Sequence, residues 1–529
     1  EEFILALIQN GEMRLARQWI GSLSEADIRR SPTLCIAQAW ASAQYASVEI
    51  AEDLLAQAET ALVSAASENG DLDPKIQEKL NRQIAVLQVV IARVRGDSTD
   101  RQQALALEAL DHLIPIDDIA SRATLFLRLG FCYLDLGKDD EADRVFSQAF
   151  DLGIASDNHY AAHGANYGRM VIAWRHGQLD RLAAICHQSQ DANKTGDNQG
   201  QSLNGIALIM EGRLLYERNN LDEAESRLVE GLQLVKRVGM TELLIKGNFT
   251  LACLKIAQGA QSHFPELEKM AVNSHPELFA YAAALDVQLQ LLKIITCKDI
   301  RFEKDISQWV DNHQLQQRGQ SSYDWEIAEN LIYARALCWQ YKTHPNSKLV
   351  SRLKQVLSFI EEQHPTLDSL SWWGILVEVN IVTSLILYTL DRKVDALTAV
   401  EGALALAESP GYLHIFLDEG QPMKELLQLA LAAGIRKEYT RTLLARFSDP
   451  TAKFPAITPP QPGLLIDPLS ERELQVLRLL DTSLSVPEIA EEIHLSPTTV
   501  RTHVQHIYQK LGVHGRIEAL QKAEDLGIL

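Results

Sequence analysis

The chain has 529 residues, a length that holds about three or four domains of roughly 150 residues each, and its 50 Lys and Arg against 70 Asp and Glu leave a net charge of −20. That balance excludes a protein that coats nucleic acid or a membrane surface by overall basicity, so any contact with DNA has to be local. With 28 Gly, 17 Pro and 6% aromatic residues, the composition also excludes collagen, a disordered chain and an all-β sandwich.

Helix is expected from the start. The chain opens at Glu1-Glu2-Phe3, without Met, in a pattern that is already helix-like and has no charged-then-apolar leader, so a fragment of something longer is expected. A weak pair of helices with small contact residues comes first, in WASAQYASVEIAEDLLAQAETAL, carrying Ala51, Leu55 and Ala58. The pattern is clearest in LGFCYLDLGKDDEADRVFSQA, where Gly130, Tyr133, Gly137, Ala142, Phe146 and Ala149 are spaced as in a tetratricopeptide hairpin. GRLLYERNNLDEAESRLVEG repeats it with Gly212, Leu215, Ala224, Leu228 and Gly231, and Ala173, Gly177, Leu182 and Cys186 fit loosely between. Gly130 and Gly212 are 82 residues apart, two steps of about 41, so the helices run longer than in a strict 34-residue repeat. Small residues belong where two helices of a hairpin touch. Between about 260 and 370 the repeat blurs and only apolar periodicity marks helices. A late copy carries Ala396, Val400 and Ala403, stopped by Pro410. Residues 1–447 therefore read as an all-α, tetratricopeptide-like solenoid, whose concave surface suits a peptide, protein or small ligand.

The side chains of the solenoid give no sign of catalysis. Cys35, Cys132, Cys186, Cys253, Cys297 and Cys338 are at least 41 residues apart, which fits neither a disulfide framework nor a zinc site built of local pairs, and small buried hydrophobes in a reducing cytoplasm is the expected reading. His159, His163 and His176 lie on repeat helices and loops, where a hydrogen-bonded or solvated His is commoner than a catalytic one. Trp372-Trp373 could line a groove, but core packing is the commoner use of such a pair. The longest apolar stretch, 375–390, contains Glu378 and Asn380 and is too short to span a bilayer, so no membrane contact is expected. No metal site, cofactor or enzyme activity is expected in this chain.

Residues 448–467 change character, with Pro450, Pro455, Pro459, Pro460 and Pro462, and read as a semi-rigid, extended linker. Residues 468–529 form a second domain. LSERELQVLRLL has Ser470 as N-cap and Glu473 three residues on, a capping box leading into a helix with Leu474, Leu477 and Leu480 inward. A short helix follows Ser485, with Ala490 facing the next. Ser496 then caps, and Pro497 begins, a third helix. On a wheel that helix places Val500, Val504, Ile507, Tyr508 and Leu511 on one stripe and Thr498, Arg501, Thr502, Gln505 and Gln509 on the other side. No Asp or Glu occurs between His494 and Arg516, although the tail as a whole is slightly acidic. A carboxylate-free cationic face suits a helix entering the major groove: Arg can hold guanine and Gln adenine, while Lys510 and the helix N-terminus at Ser496 can meet phosphates.

The assembled string closely resembles the LuxR-type helix-turn-helix domain throughout 469–520, including Ser496, Thr499, Val500 and His503 and the Lys-Leu-Gly-Val at 510–513. The resemblance implies that Arg501, Thr502 and Gln505 face bases, that Thr499, His503 and Lys510 meet the backbone, and that Glu473 pairs structurally with Arg516. It also implies self-association, with the helix at 515–526 serving a tail-to-tail contact through Ile517, Leu520 and Ala523, and RNA polymerase as a downstream partner. Pro487 and Gln505 depart from the common pattern. RQWIGSLSEADIRRSPTLCIAQAWA and GYLHIFLDEGQPMKELLQLALAAG resemble segments of the large ATP-binding, MalT-like group of these regulators. That group carries a nucleoside-triphosphatase module ahead of its repeats, and no Gly-x-x-x-x-Gly-Lys-Ser/Thr occurs here; GDNQGQS at 196–202 lacks the lysine. A cytoplasmic transcription activator is the expectation, its solenoid sensing a ligand or partner and its tail binding double-stranded DNA. The alternative is a tetratricopeptide adaptor whose tail docks only protein.

Overall fold

In the computed structural model the described residues are 4, 7, 13–45, 48–68, 74–113, 119–192, 201–238, 240–260, 266–272, 276–315, 323–448, 469–482, 484–511, 513, 516–525 and 528–529. Every regular element among them is a helix. The expected linker falls, from residue 449 on, outside the described residues, as do Phe3, Gly196 and Gly515.

The first helices are α1 Met13–Ile20, α2 Glu25–Arg30, α3 Pro32–Tyr45, α4 Val48–Glu68, α5 Pro74–Arg95 and α6 Thr99–His112. Four pairs of helices follow: α7 Ile119–Asp135 with α8 Asp139–Ala155, α9 His159–Arg175 with α10 Leu179–Ala192, α11 Gln201–Glu217 with α12 Leu221–Val238, and α13 Thr241–Ala257 with the short α14 Leu267–Met270. The leading helices start at 119, 159, 201 and 241, steps of 40, 42 and 40 residues, which matches the spacing of small residues in the sequence. The blurred region resolves into α15 Pro276–Cys297, α16 Glu303–Asn312, α17 Tyr323–Thr343 and α18 Ser347–Ser369. The array ends with α19 Trp373–Thr389, α20 Lys393–Ala407, α21 His414–Leu417, α22 Gln421–Ala432 and α23 Lys437–Ser448.

Small residues do what their spacing predicts. The fully buried Phe146 ring lies where a Cβ on Gly130 or Gly168 would approach within 2.4 or 2.3 Å, so three helices close on one aromatic. Gly137 and Gly177 take φ of 68° and 70° in the turns that end α7 and α9, a left-handed conformation that glycine adopts without strain. Five of the six cysteines are buried, Cys297 is half-buried, and all are free thiols. Leu278–Cys297 in α15 is long and apolar enough to cross a membrane, but half of it is buried in the array, against α13 and α17.

The superhelix coils far enough for residues some 200 apart to touch. α9 packs on α19, and α11 on α21. At the second of these junctions the Glu217 carboxylate accepts the backbone N–H groups of Leu413 (3.0 Å) and Ile415 (2.9 Å). Tyr216 donates to Asp418 (2.9 Å), and its ring stacks on His414 at 4.1 Å. Burial raises the Glu217 carboxyl to about 7, above its ordinary 4.5. Because the folded chain holds this proton more tightly than the unfolded chain, the group's contribution is full below the unfolded value and declines as pH rises through about 7. The shift corresponds to about 3 kcal/mol. Glu217→Gln is therefore expected to gain on the wild type by up to about that amount between about pH 5 and pH 8 in urea denaturation, and parallel pH profiles would refute the assignment.

Candidate nucleic-acid interface

The tail is built of four helices, α24 Glu471–Leu480, α25 Val486–Glu492, α26 Pro497–Leu511 and α27 Arg516–Asp525. The Ser470 capping box is formed: Glu473 N–H donates to the Ser470 hydroxyl, and the Glu473 carboxylate accepts the Ser470 N–H at 2.7 Å. A second box, unremarked in the sequence although its Ser-x-x-Glu spacing is the same, joins Ser485 to Glu488. Ser496 caps α26 by accepting the Thr499 N–H at 3.1 Å. Capping of three successive helices sets where each begins, and therefore which side chains of α26 turn inward.

Those inward residues are Val500, Val504, Ile507 and Leu511, packed on Val476, Leu477, Leu480, Ile489 and Ala490 and on Ala519 and Ala523 of α27. Leu474 is half-buried. These residues form one apolar cluster that continues into the repeat array through α20 and through Tyr508 on Trp373. Glu473 lies beneath α26 and pairs with Lys510 (Nζ to Oε2, 2.7 Å) rather than with Arg516, whose Nε donates to the Leu480 carbonyl at 2.8 Å and whose Nη2 reaches that of Thr482. The reason is reach: the Glu473 oxygens are taken up at the N-terminus of α24, whereas Arg516 meets the open carbonyls at its C-terminus. Burial alone would raise the Glu473 carboxyl, but the Lys510 and Ser470 hydrogen bonds hold it below its ordinary value.

The outer side of α26 is where sequence and structure part. Arg501 is not displayed to solvent. It is 7% exposed and forms a two-pronged ion pair, Nε and Nη2 each donating to one oxygen of Asp368, which is 5% exposed in the last turn of α18. Tyr508, expected on the inner stripe, is half-buried and stacks on Trp373 at the start of α19, with centroids 6.4 Å apart and planes 24° apart. Arg501 and Tyr508 are seven residues apart, two helical turns, and so share one face. α20 packs against α26 as well. His364, half-buried one turn before Asp368, has its pKa lowered by burial and then by the Arg501 charge. Trp372 and Trp373 are both buried, as core packing predicts, but Trp373 belongs to the seam between the two domains.

Of the other residues expected at DNA, Ser496 is exposed, and Thr499, Thr502, His503 and Lys510 are half-buried. Burial lowers the pKa of His503, opposed by the nearby Glu473. Thr498, Gln505 and Gln509 lie on α26, and their side chains are outside those described, as is that of Ile517 on α27. Among the described residues no cluster of His, Cys, Asp or Glu could hold a metal ion.

Residues 82–433 match the family described as "MalT-like TPR region", and residues 467–523 match "Bacterial regulatory proteins, luxR family". Among similar proteins, the HTH-type transcriptional regulator MalT of Vibrio cholerae is 24% identical over 98% of this chain and 57% of its own length. The protein of the same name from Klebsiella pneumoniae is 22% identical over the same shares, and that of Yersinia pestis 24% identical over 84% of this chain and 54% of its own. The chain thus spans little more than half the length of the relatives it matches.

Proposed function

The chain belongs to the family with a MalT-like TPR region, and from that premise we propose that it is a sequence-specific DNA-binding activator of transcription in the cytoplasm, whose helical repeats sense a ligand or protein partner. The observation that carries this reading is α26 itself: an apolar stripe buried on its own domain, and no carboxylate on the outer side, the arrangement a major-groove reader requires. Arg501, Thr502 and Gln505 are the proposed base contacts, with Thr498 and Gln509 beside them, and Ser496, Thr499, His503 and Lys510 the proposed backbone contacts. Three or four phosphate contacts per copy bind weakly, each contributing a salt slope of about −0.9. Two or more copies therefore act together on adjacent half-sites, α27 providing a tail-to-tail contact, and RNA polymerase is the proposed downstream partner.

Residues 460–529 contain all four tail helices, and α24, α25 and α27 each contact α26, so they are tested as a fragment whose helix content is first checked by circular dichroism. In random-site selection it is expected to bind duplex DNA in a salt-sensitive manner. Arg501→Ala should lose about 1–3 kcal/mol and relax preference at one position, whereas Lys510→Ala should weaken all sequences alike. The burial of Arg501 against the repeats favours a second reading, an adaptor whose tail docks only protein. A folded fragment that binds no duplex at any salt would overturn the first reading and leave the second to be tested by its protein contacts.

A further inference from the structure

Asp368 occupies the Nε/Nη2 edge of the Arg501 guanidinium. The carboxylate presents two acceptor oxygens side by side, as the O6 and N7 of a guanine do, and the pair is buried against the array, so the side chain cannot make this contact and reach a base in the major groove at the same time. The contact has the features of a built interface rather than a surface ion pair. Both side chains are almost wholly removed from water, at 9% and 4% exposure. Two turns along the same face, Tyr508 lies on the Trp373 indole. α20 closes the side. The residues that face α26 belong to the end of α18 and the start of α19, the segment that the array fixes from its other side. Trp372 Nε1 donates to Asp139 at 2.8 Å, and the Gly374 backbone lies against Trp174 and Gly177 of the α9 turn.

We infer that the Asp368–Trp373 face of the repeat array is a docking site for the recognition helix of the same chain, holding the protein in a closed state that cannot read DNA. The inference rests on the proposed DNA-binding role of α26. Residues 449–468 tether the two partners, so the docked state competes at high effective concentration with DNA in solution. A signal received by the repeats opens the protein if it binds better to an array whose α18–α19 corner no longer fits α26, because a ligand shifts the equilibrium only by its preference for one state.

The test compares the full chain with its Asp368→Ala and Asp368→Asn variants, using a labelled pool of random duplexes at low salt and, separately, hydrogen exchange over 497–511. Without the carboxylate the closed state keeps a buried arginine that has lost its counter-charge, so closure weakens. Both variants are expected to bind the pool about tenfold or more tightly than the wild type and to exchange faster over 497–511 and 364–377, with unchanged helix content by circular dichroism. Asp368→Asn keeps the shape of the side chain and serves if the alanine variant does not fold. Equal affinity and equal exchange in wild type and folded variants would overturn the docking site while leaving the DNA-binding reading intact. Faster exchange with no duplex binding by either variant, nor by residues 460–529, would overturn the gate together with that reading.

Discussion

Alanine at position 374 is expected to destabilise the repeat array by about 3 kcal/mol or more, an effect larger than its single added methyl group implies. A Cβ there would lie 2.1 Å from the Trp174 carbonyl oxygen, 2.9 Å from the Gly177 nitrogen and 3.0 Å from the Arg175 carbonyl oxygen. All three are backbone atoms, so no rotamer change relieves the clash and one helix end must move away from the other. The expected loss should appear as a lower urea midpoint for the full chain. Gly164→Ala is the matched control: the nearest atoms to its Cβ would be the Leu127 methyl groups at 3.2 Å, which can give way, and its cost should stay below about 1 kcal/mol. Equal midpoints for the two variants would show that the α9–α19 approach is not held as described. The same substitution also bears on the tail, because Gly374 follows Trp373 and lies six residues beyond Asp368. A corner pushed away from α9 no longer presents those two groups to α26, so Gly374→Ala should also speed exchange over 497–511.

The contrast between these glycines shows which information was local. Gly130, Gly212 and Gly231 are recognisable in the sequence because each meets a neighbour on the other helix of the same hairpin, in a pattern that recurs every 40 residues or so. The capping box at Ser470 and the start of α26 at Pro497 were legible for the same reason, since caps act over three residues. Contacts made by the coiling of the superhelix leave no such periodic trace. Asp368 and Arg501 are 133 residues apart, and Asp139 and Trp372 are 233 apart, with nothing in the spacing of either pair to join them. The helical wheel therefore places Arg501 on a face free for DNA, whereas the fold covers it with Asp368. Tyr508 illustrates the limit of a helical wheel: its amphipathic ring suits the edge of an inner stripe, and only the position of Trp373 decides that it serves a second interface. Core packing is the expectation for the adjacent tryptophans, and both are buried, but their indoles face different partners. One N–H reaches Asp139, and the other is buried with no hydrogen-bond partner among the described residues.

Asp139→Ala is expected to cost about 3–5 kcal/mol, because this carboxylate gathers donors from two separate stretches of chain. Its Oδ2 lies 2.8 Å from His176 Nε2 and accepts the Trp372 indole N–H at 2.8 Å, while its Oδ1 accepts from Arg175 at 3.3 Å. Arg175 in turn lies over the Trp372 ring, 4.4 Å from its centroid. Removing the carboxylate takes the counter-charge from a buried guanidinium and the acceptor from a buried indole, so the loss exceeds that of any one hydrogen bond. The variant should unfold at a lower urea concentration, and the α18–α19 corner should exchange faster than in the wild type. A pH series separates the charge from the packing. Burial by itself would raise the Asp139 carboxyl, but the His176 hydrogen bond and the Arg175 charge hold it below its ordinary value. A carboxyl lowered in the folded state contributes above its unfolded pKa, near 3.8, and that contribution is lost as pH falls through the folded value. The gap between wild type and Asp139→Ala should therefore be full at neutral pH and narrow under acid conditions. A gap that stays constant into acid would mean that Asp139 acts by its shape alone, and the ionic account of the corner on which α26 rests would have to be abandoned.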